Sequence, residues 1–554
     1  MSRIALLFNT IRYLKWQQIY YRLYYRIRKP KIGHIDNPVL RGCFSGWHGE
    51  AFLKPATSDG VCFTFLGESA VLHNEWNSSQ FSKLWLYNLH YQDDLNAAGA
   101  ENFSELHVDL IERWINANPP LSGNGWEPYC LSLRLVNWVK WFARQPDSAL
   151  KEKWLHSMAV QTKVLEQRLE YHVQGNHLFA NAKALVFVGC YLGGKQGDHW
   201  LSKGLNLLDR EVVKQFLPDG AHFELSPMYH ATLLWDMCDL IQLQQQTRLP
   251  CLCEREHLWC GVVVKGIKWL RCMVHPDGDL AFFNDTTFGI SPTLKQLEGY
   301  AGKLACLPEH SKKNTSNLPS ISHLEDSGYI TLDWNEDCRA IIDAAQVGPD
   351  YQPGHAHADT LSFELSLFGQ RVFVNSGISQ YGEDAVRHYQ RSTAAHNTVE
   401  VDGKNSSEVW AGFRVARRAR PFDIKVEGSS YRVCISASHD GYLRLPGKVL
   451  TKRELLLEKG VIQVIDELSG KWSKAVSRFY CHPDISVNQF NKNEVLLTLP
   501  QGQVVCFRAE GASELHVVER SWHPAFGLST SNSCIEAVFS GAKLVSRIDY
   551  QNLC

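Results

Sequence analysis

Leu361-Ser362-Phe363-Glu364-Leu365 and Arg371-Val372-Phe373-Val374 stand on either side of Phe368-Gly369-Gln370 and read as short strands separated by a turn. The same texture recurs at Tyr329-Ile330-Thr331-Leu332 and over residues 398–401, 461–465 and 494–499, with turn signals such as Asp402-Gly403 between the runs. Many short strands across the second half predict an antiparallel β-sandwich. Upstream, between Phe81 and Leu307, the period changes. Apolar residues return every three to four positions over 106–115, 130–142, 153–171, 178–192 and 229–246. Asn118-Pro119-Pro120, Gly193-Gly194 and Pro218-Asp219-Gly220 punctuate these runs. A series of antiparallel helices of similar length predicts an all-α array or toroid. The fold class is therefore multidomain α and β. Residues 1–80 are a basic aromatic arm and lead-in, 81–315 the helical domain and 316–554 the β-domain, with a polar linker at 309–317.

A chain of 554 residues exceeds one ordinary core. Its 44% hydrophobic and 21% charged content is that of a soluble globular protein. A net charge of -1 argues against a nucleic-acid binder. The 17 Trp, 20 Tyr and 25 Phe suit large cores or platforms that stack on sugar rings. The 16 Cys include no repeated CxxC pairs, so reduced, mostly buried thiols in a cytosolic protein are expected. Met1 to Phe8 is too short for a signal-peptide core, and no run of about 18 apolar residues appears. Residues 11–31 interleave Tyr, Trp, Ile and Leu with Arg and Lys. Two readings stand: an amphipathic helix lying on an anionic membrane surface, or an arm packed on the main body. The expected location is cytoplasmic, or peripheral to the inner membrane.

Chemistry-bearing residues concentrate in four places. Gly175-Asn176-His177 precedes a helix, where Asn176 serves equally well as a cap or as a ligand-facing amide. Phe223-Glu224-Leu225-Ser226-Pro227-Met228-Tyr229-His230 opens another helix. Trp126-Glu127-Pro128-Tyr129 leads into Arg134, an aromatic and a guanidinium suited to sugar stacking and carboxylate pairing. In the β half, His355 and His357 lie two apart on extended chain and share a face, with His396 as a third imidazole. They read as a metal set or as satisfied structural histidines. Taken together, Asn, His and Tyr are the groups that β-elimination from a uronic acid requires. The carboxylate must be neutralised, the C5 proton removed and the departing O4 protonated. No nucleotide loop, nucleophile elbow or H-E-x-x-H helix competes.

Gly175-Asn176-His177, Glu224-Leu225-Ser226-Pro227-Met228-Tyr229-His230, Gly354-His355-Ala356-His357-Ala358-Asp359, Val374-Asn375-Ser376-Gly377 and the segment from Arg391 to Val399 occur in this order. In these motifs the chain resembles the heparinase II/III family of polysaccharide lyases and the related alginate and oligoalginate lyases. The resemblance implies an incomplete (α/α) toroid, a following antiparallel β-sandwich and a cleft between them. It implies that Asn176 and His177 neutralise the uronate carboxylate and that Tyr229 and His355 form the acid/base pair, in an order the sequence leaves open. Tyr381, Arg134 and Glu224 would line the substrate site, with Trp126 beside them. A structural zinc would use His357, Asn375 and His396. Asn375 departs from the family's Asp at that position, and a neutral amide oxygen is the poorer ligand. Zinc bound weakly, zinc bound through Asp359, and no zinc are all open; no organic cofactor is expected. The implied partner is an acidic polysaccharide. A glycan-binding or assembly protein of capsule or exopolysaccharide biosynthesis, and a glycoside hydrolase on the same scaffold, are the alternatives.

Overall fold

The computed structural model describes residues 3–44, 46–72, 75–307, 319–335, 337–429 and 432–550; the linker expected at 309–317 lies outside them. The first half is helical and the second half is built of antiparallel strands, as the change of period predicts. The helices Pro128–Phe142, Glu152–Gln167, Gly175–Tyr191, Gly194–Gln215, Pro227–Thr247 and Glu256–Cys272 pack in succession around one apolar core rich in Trp. The run expected over 153–171 stops at Gln167, and residues 168–174 form the turn that carries Glu170 to the site.

The 22-residue helix Gly194–Gln215 has no counterpart among the predicted runs. Its glycines dilute the apolar period, and two of the glycines at this contact are there for packing. A Cβ on Gly189 would fall 2.5 Å from the Leu201 nitrogen, and one on Gly204 would fall 2.8 Å from Val186. Small residues here let this helix and Gly175–Tyr191 approach closely.

Among the described residues the β half holds sheets of eight, four and five strands and a two-stranded ribbon, Val409–Trp410 with Arg414–Val415. The five-stranded sheet, from Ser320–Leu324 to Gln370–Phe373, meets the four-stranded one through the Phe373–Cys481 bridge. Both share a core with the eight-stranded sheet through Phe363, Leu455, Phe479 and Phe507. The alternating buried pattern of Val461–Ser469 is that of a strand with one face in this core. Tyr329, Ile341 and Ala345 instead join the helical core, so the halves are continuous across a packed interface.

The lead-in forms a hairpin, Cys62–Phe65 with Glu68–Val71, and the arm forms helices α1 (Arg3–Ile11) and α2 (Trp16–Ile27). The inner face of the arm packs on both halves. Tyr25 Oη donates to the Leu169 carbonyl at 2.7 Å, and Gln18 Nε2 donates to the Tyr351 carbonyl at 3.1 Å. The Arg418 guanidinium lies 3.9 Å from the Tyr13 ring centre. The thiol expectation needs one correction: Cys260 and Cys306 are joined, tying Glu256–Cys272 to the chain after Leu294–Lys303. The other thirteen described cysteines are free, seven of them buried.

Candidate active site

Each group at the junction is delivered by a short local device. Ser226 caps the helix Pro227–Thr247 by accepting from the Tyr229 amide at 3.2 Å, with Pro227 at the first turn, and so fixes Tyr229 at the helix mouth. Gln174 precedes Gly175 with φ 68° and ψ -154°, a conformation costly for any side chain, which turns Asn176 toward Glu224. Gly175 itself has φ 54°, where a side chain is strained, and a Cβ there would fall 2.2 Å from the Gln352 amide and 2.6 Å from the Glu224 carboxylate, so glycine suits this position.

The structure brings together six of the predicted residues. The Tyr229 ring lies 3.9 Å from the His355 ring, and its hydroxyl is 2.9 Å from that of Tyr381. His355 Nε2 is 3.5 Å from Glu224 Oε2. The Asn176 amide N–H points at the other Glu224 oxygen at 3.4 Å, and its side chain makes no hydrogen bond among the described residues. His177 lies next to Tyr129, their rings 4.4 Å apart. Tyr229, Tyr381, His355 and His177 are half-buried, while Asn176 and Glu224 are buried.

Three groups that the sequence reading missed hold this set. Asp285, fully buried, accepts from His355 Nδ1 at 2.8 Å on one oxygen and from His357 Nε2 at 2.9 Å on the other. Arg387 closes a fork on the same carboxylate, with Nη2 at 2.7 Å. Burial pushes the Asp285 carboxyl upward, but Arg387 and the two imidazoles overcome this and hold it well below the ordinary range. An ionised carboxylate only accepts, so His355 carries its proton on Nδ1 and turns Nε2 toward Glu224. Glu170 plays the matching part for His177, accepting at 3.0 Å while Asn181 donates to its other oxygen at 3.0 Å. Burial works against a charged His177, yet Glu170 raises its pKa above the usual histidine value. The phenols of Tyr229 and Tyr381 are pushed well above the usual tyrosine range, by burial first. Both are neutral O–H donors at neutral pH. Burial also raises Glu224, against the opposing effect of His355.

His357 and His396 meet with Nδ1 and Nε2 3.2 Å apart, and Asp359 completes a buried group whose ligand atoms lie within 4.8 Å of one another. Two nitrogens on one tetrahedral zinc lie about 3.3 Å apart, so the two imidazoles are spaced for that ion and the donor types suit it, with Asp359 near enough to complete the set. The His357–Asp285 bond supplies the outer carboxylate that such a histidine normally has. Asn375 is committed elsewhere. Its Oδ1 accepts from the Asn397 amide at 3.1 Å, and the acid beside the two imidazoles is Asp359.

Arg134 and Trp126 are not brought to the junction. Arg134 is fully buried and donates to Gln161, the His90 carbonyl and the Gly125 carbonyl, 3.7 Å over the Trp114 ring. Every nitrogen of its fork is spent inside the helical core. Trp126 donates from its indole to the Asn118 carbonyl at 3.2 Å and lines a separate groove with Lys153 and His156. A guanidinium and an indole at a helix start read as exposed from spacing alone; here the core has closed over both.

A helical half and an antiparallel β half that meet at Tyr, His and Asn define a two-part scaffold with its candidate site at the junction. The chain belongs to the heparinase II/III family: "Heparinase II/III N-terminus" matches residues 72–311 and "Heparinase II/III-like, C-terminal" matches 317–548. Among curated relatives, a heparin-sulfate lyase of Bacteroides stercoris is 23% identical over 369 residues, covering 62% of this chain and 51% of the relative. One of Pedobacter heparinus is 25% identical over 345 residues, covering 56% and 50%. The chain thus spans about half the length of the curated relatives it matches. A solved heparinase III structure superposes with a TM-score of 0.69 at 16% identity, over 96% of this chain and 88% of that one, and shares its fold.

Proposed function

We propose that the chain is a lyase that cleaves a uronic-acid-containing polysaccharide by β-elimination. The observation that carries this reading is the Tyr229–Tyr381–His355 contact, with His355 held by Asp285 so that Nε2 is its free nitrogen. His177, whose charged form Glu170 favours, and the unengaged Asn176 amide neutralise the substrate carboxylate, which makes the C5 proton acidic. His355 Nε2 takes that proton. The C4–O4 bond breaks, a C4–C5 double bond forms, and the Tyr229 hydroxyl gives its proton to the departing oxygen. Tyr381 holds the Tyr229 hydroxyl in place.

The test is a panel of uronate glycans incubated with the purified protein. Because the curated relatives are named heparin-sulfate lyases, heparan-type chains head the panel, followed by chondroitin-type, alginate-type and bacterial capsular chains. The expected product carries an unsaturated uronate that absorbs in the near ultraviolet. New reducing ends without that absorbance would mean hydrolysis, and retention of chains without cleavage would mean a binding protein.

Zinc at His357, Asp359 and His396 belongs to the same proposal, as a structural ion that pins the β-domain wall of the junction and would supply Lewis acidity only there. Elemental analysis of the purified protein should find about one zinc per chain, lost in His396→Ala. Chelation should lower the melting temperature by roughly 5 °C or more. A metal-free protein with an unchanged melting curve would sink the zinc assignment.

A further inference from the structure

The two N-terminal helices leave one face uncovered. In α1, Ile4, Leu7, Phe8 and Ile11 recur at the spacing of a single helical face; in α2, Trp16, Tyr20, Leu23 and Ile27 do the same. All eight are exposed, with Ile4 at 78%, Trp16 at 74% and Ile27 at 85%. They make up eight of the 21 exposed large hydrophobic residues among the described residues, all between Ile4 and Ile27. This concentration is far from the scattered single exposures of an ordinary surface.

The opposite face of α2 is the docked one, carrying Gln18 and Tyr25 against the body. The stripe is therefore not a core face that failed to pack. Its charge surroundings are one-sided too. Eight Lys and Arg lie between Arg3 and Lys31, the first acid is Asp36, and the whole chain sums to -1. Among the described residues none of the eight forms an ion pair with a carboxylate; the first such contact in the chain is His34 with Asp36. No described helix is long and apolar enough to cross a membrane.

We propose that α1 and α2 form an interfacial anchor that binds the chain to an anionic phospholipid bilayer. The apolar stripe enters the headgroup boundary and the flanking cations pair with lipid phosphates. A polyanionic glycan would satisfy the cations but offers nothing to Ile4, Leu23 or Ile27, which favours the bilayer. The anchor also bears on the site. Gln18 holds the Tyr351 carbonyl, and the next residue, Gln352, leans on Gly175 beside Asn176.

The experiment is co-sedimentation of the full chain with vesicles of phosphatidylglycerol and phosphatidylcholine, and with phosphatidylcholine alone. Binding is expected to the anionic vesicles and to fall as salt rises. Leu23→Glu with Ile27→Glu, both exposed, should weaken it by about tenfold or more while leaving the circular dichroism and melting curve unchanged. Lack of sedimentation with anionic vesicles overturns the proposal. So does equal binding by the double variant, which would point to a polyanion site made by the basic residues alone. A dimer in light scattering that the double variant dissociates, with no vesicle binding, would assign the stripe to a second copy of this chain. None of these readouts depends on glycan cleavage.

Discussion

Tyr229→Phe is expected to lower the turnover of uronate cleavage by about 10²- to 10⁴-fold with little change in KM. The phenol is neutral, because burial first and then Tyr381 push it well above the usual tyrosine range, so at neutral pH it can donate its proton but not accept one. Phenylalanine keeps the ring against His355 at the same 3.9 Å spacing and removes only the proton. The fold should survive, since the loss leaves one hydroxyl, that of Tyr381, without its partner, worth about 1 kcal/mol. A stopped assay of ultraviolet-absorbing product, run beside a melting curve, separates the two effects. Full activity in the variant would remove Tyr229 from the reaction and leave Tyr381 as the proton donor to test next.

Asp285→Asn should cost both activity and stability. An asparagine at this position presents an N–H to at least one former donor. Where that donor is His355 Nδ1, the imidazole must shift its proton to Nε2, the nitrogen required as base. A fall in turnover of about 10²- to 10⁴-fold follows, with an altered pH profile of kcat/KM that a purely structural lesion would not give. Arg387 is left as a buried cation without its carboxylate, at a cost of about 3–5 kcal/mol.

The pH dependence has a definite sign. The folded-state pKa of Asp285 is depressed, so its contribution to stability is complete above the unfolded value near ~3.9 and is lost as pH falls toward the folded value. Acid titration of the wild type followed by circular dichroism should therefore show a loss below about pH 4 that the variant lacks. An identical acid limb in both proteins would mean that the Asp285–Arg387 pair contributes nothing.

The sequence made the outline of this site readable because its delivering motifs are local. Gly175-Asn176-His177 opens a helix, Ser226-Pro227 caps another, and Gly354 to Asp359 is one extended stretch. What could not be read is what holds them. Asp285 reaches His355, His357 and Arg387 across 70, 72 and 102 residues, and nothing in Phe282-Phe283-Asn284-Asp285 distinguishes its carboxylate from a surface one. Arg134 failed in the opposite direction. Its position at a helix start looked open to solvent, while three helical segments had closed over it and engaged each of its three nitrogens. Period and motif predict elements, and burial is decided only when elements meet. Asp359 was legible as an alternative to Asn375, because it lies two residues from His357, and the structure places its carboxylate with the two imidazoles.

Asn284, with φ 55°, donates from Nδ2 to the Leu225 carbonyl at 2.8 Å and accepts from the His357 amide at 3.1 Å. One side chain thus rivets the segment behind Glu224 to the segment that carries the histidines, and Ser226 adds a second rivet to the Asp285 carbonyl at 2.6 Å. The seam is pinned along its floor. Drawing the histidine segment away from Glu224 would break these buried bonds. On the proposed reading, a polymer would reach Tyr229 and His355 from the half-buried side of the junction, without parting the halves.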